Sequence, residues 1–196
     1  MSLFVVMHWR DVLADWSAPS HGVVPPGVPT VLAEFFAAGG RRISSQNSFR
    51  DPLDDAGWQV FYIEAQGICR WAYRGDEHDP PIHIREDGPY RPVGCRLDAF
   101  LSAATVLEAV MGAPAWRAAE GPEEETDALL ALPRLDLPHL GWPEEPVTYY
   151  GAGDVLAYAQ AGFVFIGAHD DAALHGIDAR IKHDPRWLLN GRTEQA

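Results

Sequence analysis

The stretch Trp58 to Pro81, WQVFYIEAQGICRWAYRGDEHDPP, places two apolar runs, Trp58 to Ile63 and Ile68 to Tyr73, on either side of Glu64, Ala65, Gln66 and Gly67. So short a connection, holding a glycine that can take positive φ, joins antiparallel neighbours, and the stretch predicts a β-hairpin. Side chains alternate along a strand, which sets Trp58, Val60 and Tyr62 on one face and Gln59, Phe61 and Ile63 on the other. Both faces are nearly apolar, the pattern of a central strand. Glu64 and Gln66 stand at its end among large aromatics, where a polar pair needs hydrogen-bonding partners. A carboxylate there can accept from nearby backbone amides and fix the turn, and its loss would then destabilise the fold before touching recognition.

Working outward, Trp9, Val12, Leu13 and Trp16 recur at helical spacing and predict a short amphipathic helix. Pro19 to Pro29, with four prolines and two glycines, predicts a loop; a second helix starts near Pro29, buries Leu32, Phe35 and Phe36, and stops at Gly39-Gly40. Arg41 to Asp55 reads as polar and irregular. Downstream, Ile82 to Arg85 alternates apolar with polar and can pair with Tyr90 to Val93 across Asp87-Gly88, while Pro89 and Pro92 favour a sheet edge. Leu97, Phe100, Leu101, Ala104, Leu107 and Met111 share one face of a helix expected to lie across the sheet.

Gly112 to Pro146, with six prolines and the acidic residues Glu120, Glu123, Glu124, Glu125 and Asp127, reads as a surface excursion. Val147 to Gly151, Val155 to Gln160 and Phe163 to Ile166 read as three short strands, and Asp170 as the cap of a helix through Ile181 that turns Ala173, Leu174, Ile177 and Ile181 inward. Trp187, Leu188 and Leu189 are expected to dock the tail. The fold expected is α+β: one domain over residues 1–196, with an irregular acidic excursion at about 112–146. Its frame is a mixed, largely antiparallel sheet of about six strands with helices packed mainly on one face.

With 47% hydrophobic and 11% aromatic residues, a chain of 196 has enough apolar material for one full core, which excludes wholesale disorder. The apolar start, Leu3 to Met7, has no basic residue ahead of it and no small-residue cleavage site, so it does not resemble a secretory signal. No apolar run approaches the roughly 20 residues of a membrane span. These readings imply a cytoplasmic protein without a membrane partner. Cys69 and Cys95 read as reduced structural thiols, since one pair makes no disulfide framework. A net charge of −13 repels phosphate backbones, which argues against a nucleic-acid partner and for a basic protein surface, although acidity also serves plain solubility.

Chemistry-bearing motifs are sparse. Glu77-His78-Asp79 with His83 supplies carboxylates and imidazoles, but the spacing fits no metal-ligand motif and Asp79 precedes Pro80-Pro81 in a turn. Ser44, Ser45 and Ser48 stand in a polar loop without a nucleophile elbow, and Gly151-Ala152-Gly153 is too short to cradle a phosphate. No catalytic residue, cofactor or metal ligand is assigned.

Trp58-Gln59-Val60-Phe61, Glu64-Ala65-Gln66-Gly67, Arg70-Trp71-Ala72 and Asp79-Pro80-Pro81 together resemble the signature of the SUKH superfamily, which includes bacterial immunity proteins of polymorphic toxin systems and the fungal cell-wall synthesis regulators. Val28 to Gly40 is similar to the family's opening helix, with Val-Pro and Gly-Gly where the family usually has Leu-Pro and Asn-Gly. The helix from Leu97 to Met111, with Leu107-Glu108, is a further echo, so the resemblance covers residues 28 to 111. It implies a non-catalytic binding domain without a cofactor: an immunity protein that neutralises a cognate toxin, such as a basic nuclease. It also implies that Glu64, Gln66 and Trp71 help form a recognition cleft or an internal polar node. Charge density adds Asp76, Glu77, Asp79, Glu86 and Asp87 as partner-binding candidates, with Glu123, Glu124 and Glu125 as an alternative acidic set. Two other readings stand beside it: a regulatory or scaffold module with an endogenous protein partner, and an enzyme using the His78/His83 region.

Overall fold

A computed structural model describes residues 5–17, 22–142 and 144–190. Leu3, the first residues of the proline-rich loop (19–21), Pro143 and the side chain of Leu189 lie outside the described residues. In chain order the elements are α1 (Trp9–Trp16), α2 (Thr30–Ala37), β1 (Ser48–Asp55), β2 (Trp58–Ile63), β3 (Arg70–Tyr73), β4 (Pro81–Arg85), β5 (Arg91–Arg96) and α3 (Leu97–Met111). They continue with β6 (Ala115–Glu120), α4 (Thr126–Leu130), β7 (Arg134–Leu135), β8 (Thr148–Ala152), β9 (Val155–Gln160), β10 (Phe163–Ala168), α5 (Asp171–His183) and β11 (Leu188–Asn190).

The class is α+β and every ladder between strands is antiparallel, but the strands divide between two sheets. The first is a five-stranded meander, β1-β2-β3-β4-β5; the second has six strands in the order β11-β6-β10-β9-β8-β7. Short turns explain the meander, because consecutive strands joined by a few residues pair with each other. β5, with Pro92, takes the edge that its prolines favour.

The hairpin of β2 and β3 forms, and a bulge corrects the face assignment. Val60 pairs with Ala72 but Tyr62 pairs with Trp71, so β2 carries one extra residue at Phe61. Strict alternation would send Phe61 and Tyr62 to opposite faces. Instead both rings meet Phe100 of α3, at centroid distances of 5.5 and 5.7 Å, and Val60 turns outward to a surface groove.

α3 explains why the two sheets form one core. Phe100 packs on Phe61, Tyr62 and Trp71 of the first sheet, while the other side of the helix presses on β9 and β10 of the second. α1 and α2 pack against it as well, with Trp9 edge-on to Phe35. The helix was expected to bury one face. Leu97, Phe100, Leu101, Ser102, Ala103, Ala104, Thr105, Val106, Glu108, Ala109 and Val110 are all buried, which is what a helix enclosed by two sheets requires. α5 covers the far face of the second sheet through Leu174, Ile177 and Ile181, capped by Asp170, whose side chain accepts from the Ala173 amide at 2.9 Å.

Gly167 of β10 marks the closest approach of α3. A Cβ there would lie 2.8 Å from Val110 Cα, Val110 O and Ala113 Cβ, all too near for contact. Gly167→Ala is therefore expected to destabilise the protein by about 2–3 kcal/mol through overpacking. The check is a lower urea midpoint with an unchanged slope; an unaltered midpoint would mean that the helix slides freely on the sheet.

Two segments read as irregular are strands. β1, SFRDPLDD, has few apolar residues and an internal proline, and is stabilised by pairing with β2 across an irregular register between Phe49 and Leu53. β6, inside the Pro-rich excursion, is an interior strand between β11 and β10, burying Ala115 and Ala119 under α5. Both owe their conformation to a neighbouring strand, which local propensity does not register.

Candidate functional site

Glu64 is buried and braces the hairpin turn. Its carboxylate accepts from the amides of Gln66 at 2.8 Å and Ile68 at 3.3 Å, while its own N–H donates to the Cys69 carbonyl at 3.0 Å. Gly67, at φ 75°, donates to the Glu64 carbonyl at 2.8 Å, in the backbone region that favours glycine. Gln66 is exposed beside it. Trp71 is buried in the core, with Nε1 donating to the Leu140 carbonyl at 2.6 Å.

The other candidates fall into two groups. Glu86 and Asp87 occupy the β4–β5 turn, at the same end of the five-stranded sheet as Glu64 and Gln66, because Arg70 of β3 pairs with Arg85 of β4. Asp76, Glu77 and Asp79 sit in the β3–β4 loop at the opposite end, a strand length of about 15 Å away. Asp79 accepts from the Asp98 amide at 2.9 Å and so caps α3, and Arg96 pairs with Glu77 at 2.6 Å and Asp79 at 3.4 Å. The eight residues therefore do not form one cluster.

A groove of about 550 Å3 runs beside the hairpin turn on the outer face of the first sheet, with Arg50, Arg70, Asp54, Asp55 and Glu64 among the residues lining it. Next to it the Trp58 ring lies 4.6 Å from His83 and 4.8 Å from Tyr90, tilted to both, under the Arg74 guanidinium. Tyr90 donates to Asp55 at 2.9 Å, and burial together with that bond pushes its hydroxyl up to about 12. His83 is thus packed on a tryptophan, whereas His78 is exposed in the β3–β4 loop. Among the described residues no group of three His, Cys, Asp or Glu side chains is placed to hold a metal ion.

Both cysteines are free thiols. Burial, then the charges of Glu86 and Glu64, push Cys69 up to about 12; burial, then Asp79, pushes Cys95 up to about 11. Neither is a thiolate at neutral pH, so neither is an activated nucleophile.

The most deeply buried carboxylate lies in α3, away from the hairpin turn. Glu108 of α3 is fully buried; Oε1 accepts from the Tyr62 hydroxyl at 2.5 Å and the Asn47 amide at 3.0 Å, and Oε2 from the amides of Ser45 at 2.6 Å and Gln46 at 2.7 Å. Burial, reinforced by Glu108, pushes the Tyr62 hydroxyl well above its ordinary range. A lone Glu in the apolar LDAFLSAATVLEAVM was the available signal, since such a charge survives only with dedicated donors.

One face of the second sheet is only partly covered by α3. Register puts Trp116, Ala118 and Glu120 of β6 on the same face as Gly167, Phe165 and Phe163 of β10, with Leu188 of β11 opposite Glu120. On this face Trp116, beside the contact of Gly167 with α3, is 45% exposed, while Phe163 and Leu188, on either side of Glu120 at the other end of β6, are 40% and 60% exposed. Glu120 separates Phe163 from Leu188, exposed Glu123 and Glu124 follow at that end of β6, and Trp116 stands four residues, about 13 Å, along the strand. Trp187 docks the tail as the sequence predicts, but Leu188, expected to dock with it, is exposed, and Trp116 and Phe163 carry no local signal of exposure, which depends on which distant surface covers them. Among the described residues no helix is long and apolar enough to cross a membrane. No family model, no curated protein and no solved structure matches the chain.

Proposed function

We propose that this chain is a SUKH-like, non-catalytic domain of the cytoplasm that neutralises a basic protein toxin by binding it. The observation that carries the reading is the exposed pair Phe163 and Leu188 flanking Glu120, with exposed Glu123 and Glu124 beside them. Apolar patches rimmed by polar residues mark protein contacts, aromatic anchors carry most of the affinity in such contacts, and a negative rim speeds the approach of a basic partner. Most of the chain's net negative charge falls after Arg96, on the side of the sequence that builds the second sheet. The corner of exposed Gln66, Glu86 and Asp87, braced by buried Glu64, is a second acidic contact on this reading.

The test is affinity capture from the source cell at low and high salt, followed by expression of the captured protein with and without this chain. The expected partner is basic, released by salt, and toxic unless this chain is present. Phe163→Ala is expected to weaken binding by about 30-fold, the cost of losing an anchor of about 2 kcal/mol, with folding unchanged. A partner that resists high salt and is harmless when expressed alone would instead support a regulatory module with an endogenous protein.

A further inference from the structure

Arg50 and Arg70 line the groove of about 550 Å3 on the outer face of the first sheet, and both are exposed with no hydrogen-bond or ion-pair partner among the described residues. Other arginines of this acidic chain are engaged. Arg85 pairs with Asp55, Arg96 with Glu77 and Arg117 with Asp178, while Arg74 and Arg180 donate to backbone carbonyls. The groove therefore collects guanidinium groups whose donors are unspent.

Register fixes the sign of the site. Ser48, Ile63, Arg70 and Arg85 stand side by side across β1, β2, β3 and β4, so they share the outer face. Arg70 thus lies directly opposite Arg85, and like charges so placed are destabilising. The carboxylates of the groove do not answer Arg50 or Arg70. Asp55 is taken by Arg85 and Tyr90, and Glu64 is buried and holds the amides of its own turn. Asp54 pairs in register with Gln59, whose partner Tyr73 packs on Phe61 in the core. Its side chain therefore belongs to the inner side of the sheet, where it accepts from Gln59 at 3.2 Å. Glu86 and Asp87, in the turn beyond Arg85, do not line the groove.

We propose that this groove binds a small amphipathic anion, with a phosphate or carboxylate head between Arg50 and Arg70 and an apolar body on Leu53 and Ile63. A planar guanidinium fork matches either head group, and charge-assisted bonds of this kind are stronger than neutral ones. β1 and β3 flank β2, which sets their backbones about 10 Å apart, a span that two arginine side chains can close over Ile63. Leu53, 53% exposed, and half-buried Ile63 supply the apolar contact, and the volume is that of a site for a small organic ligand. An anion held there also relieves the opposition of Arg70 and Arg85. The site is independent of any protein partner and is tested on the chain alone.

Isothermal titration at low salt with hexyl phosphate, hexanoate, hexanol and hexylamine decides it. The tighter of the two anions names the head group and is expected to bind about tenfold or more tightly than hexanol or hexylamine. The matching ion without the chain, inorganic phosphate or acetate, is expected to bind about fivefold or more weakly. Arg70→Gln is expected to weaken binding about tenfold while the urea midpoint stays or rises, because it also removes the like charge opposite Arg85. Arg50→Gln, at an exposed side chain, is expected to weaken binding with folding unchanged. No heat from either anion at millimolar concentration, hexanol binding as tightly as the anions, a chain-free ion binding equally well, or unaltered binding in Arg70→Gln would each overturn the proposal.

Discussion

Glu108→Ala is expected to lower stability by about 3–5 kcal/mol, because it strips the acceptor from a buried cluster of donors. The four bonds are not equivalent. Ser45 and Gln46 are exposed residues whose amides can turn to water, whereas the Asn47 amide and the Tyr62 hydroxyl are enclosed and would stay unpaired. Most of the loss should therefore come from the Oε1 side. Glu108→Gln is the informative companion: a glutamine has one acceptor oxygen, so in either orientation its NH2 group faces two donors, and an intermediate loss is expected. Tyr62→Phe should cost less alone and combine non-additively with Glu108→Ala, since both remove the same bond. Urea unfolding of the single and double variants measures this. A loss below about 1 kcal/mol for Glu108→Ala would mean that the loop at residues 44–47 rehydrates completely and that the node does not organise the fold.

Phe100→Ala is expected to cost a similar 3–5 kcal/mol by a different route. Phe100 is fully buried and its ring lies 5.5 Å from Phe61, 5.7 Å from Tyr62 and 6.1 Å from Trp71, so truncation opens a void where α3 meets the first sheet. These neighbours are themselves fixed, Tyr62 by Glu108 and Trp71 by Leu140, and cannot collapse into the space. Phe100→Leu keeps much of the volume and should cost about 1–1.5 kcal/mol. If Phe100→Ala unfolds at the same urea midpoint as the parent, the two sheets are held together elsewhere.

Legibility followed the range of the interactions. The hairpin, the edge position of β5, the helix from Leu97 and the cap at Asp170 were all readable, since turn residues, prolines and helical periodicity act over a few positions. Glu64 was readable as a turn-bracing carboxylate for the same reason: both amides it accepts from belong to its own turn, at Gln66 and Ile68. β1 and β6 were not, because nothing in SFRDPLDD or AWRAAE marks a strand until a partner supplies the other half of each hydrogen bond. The bulge at Phe61 was hidden too, and it decided which two aromatic rings reach Phe100.

The candidate site divides along the same line. By itself the sequence determined an α+β antiparallel class, an acidic chain with both cysteines as structural thiols, and the composition of each turn. Only the tertiary structure decided that α3 lies between two sheets, that Glu108 gathers donors from residues more than 45 positions earlier, and that Trp116, Phe163 and Leu188 are left uncovered on one face. The physical reason is that local sequence sets backbone conformation over one turn or one strand. Exposure, void and charge neutralisation depend on which distant surface arrives to cover each residue.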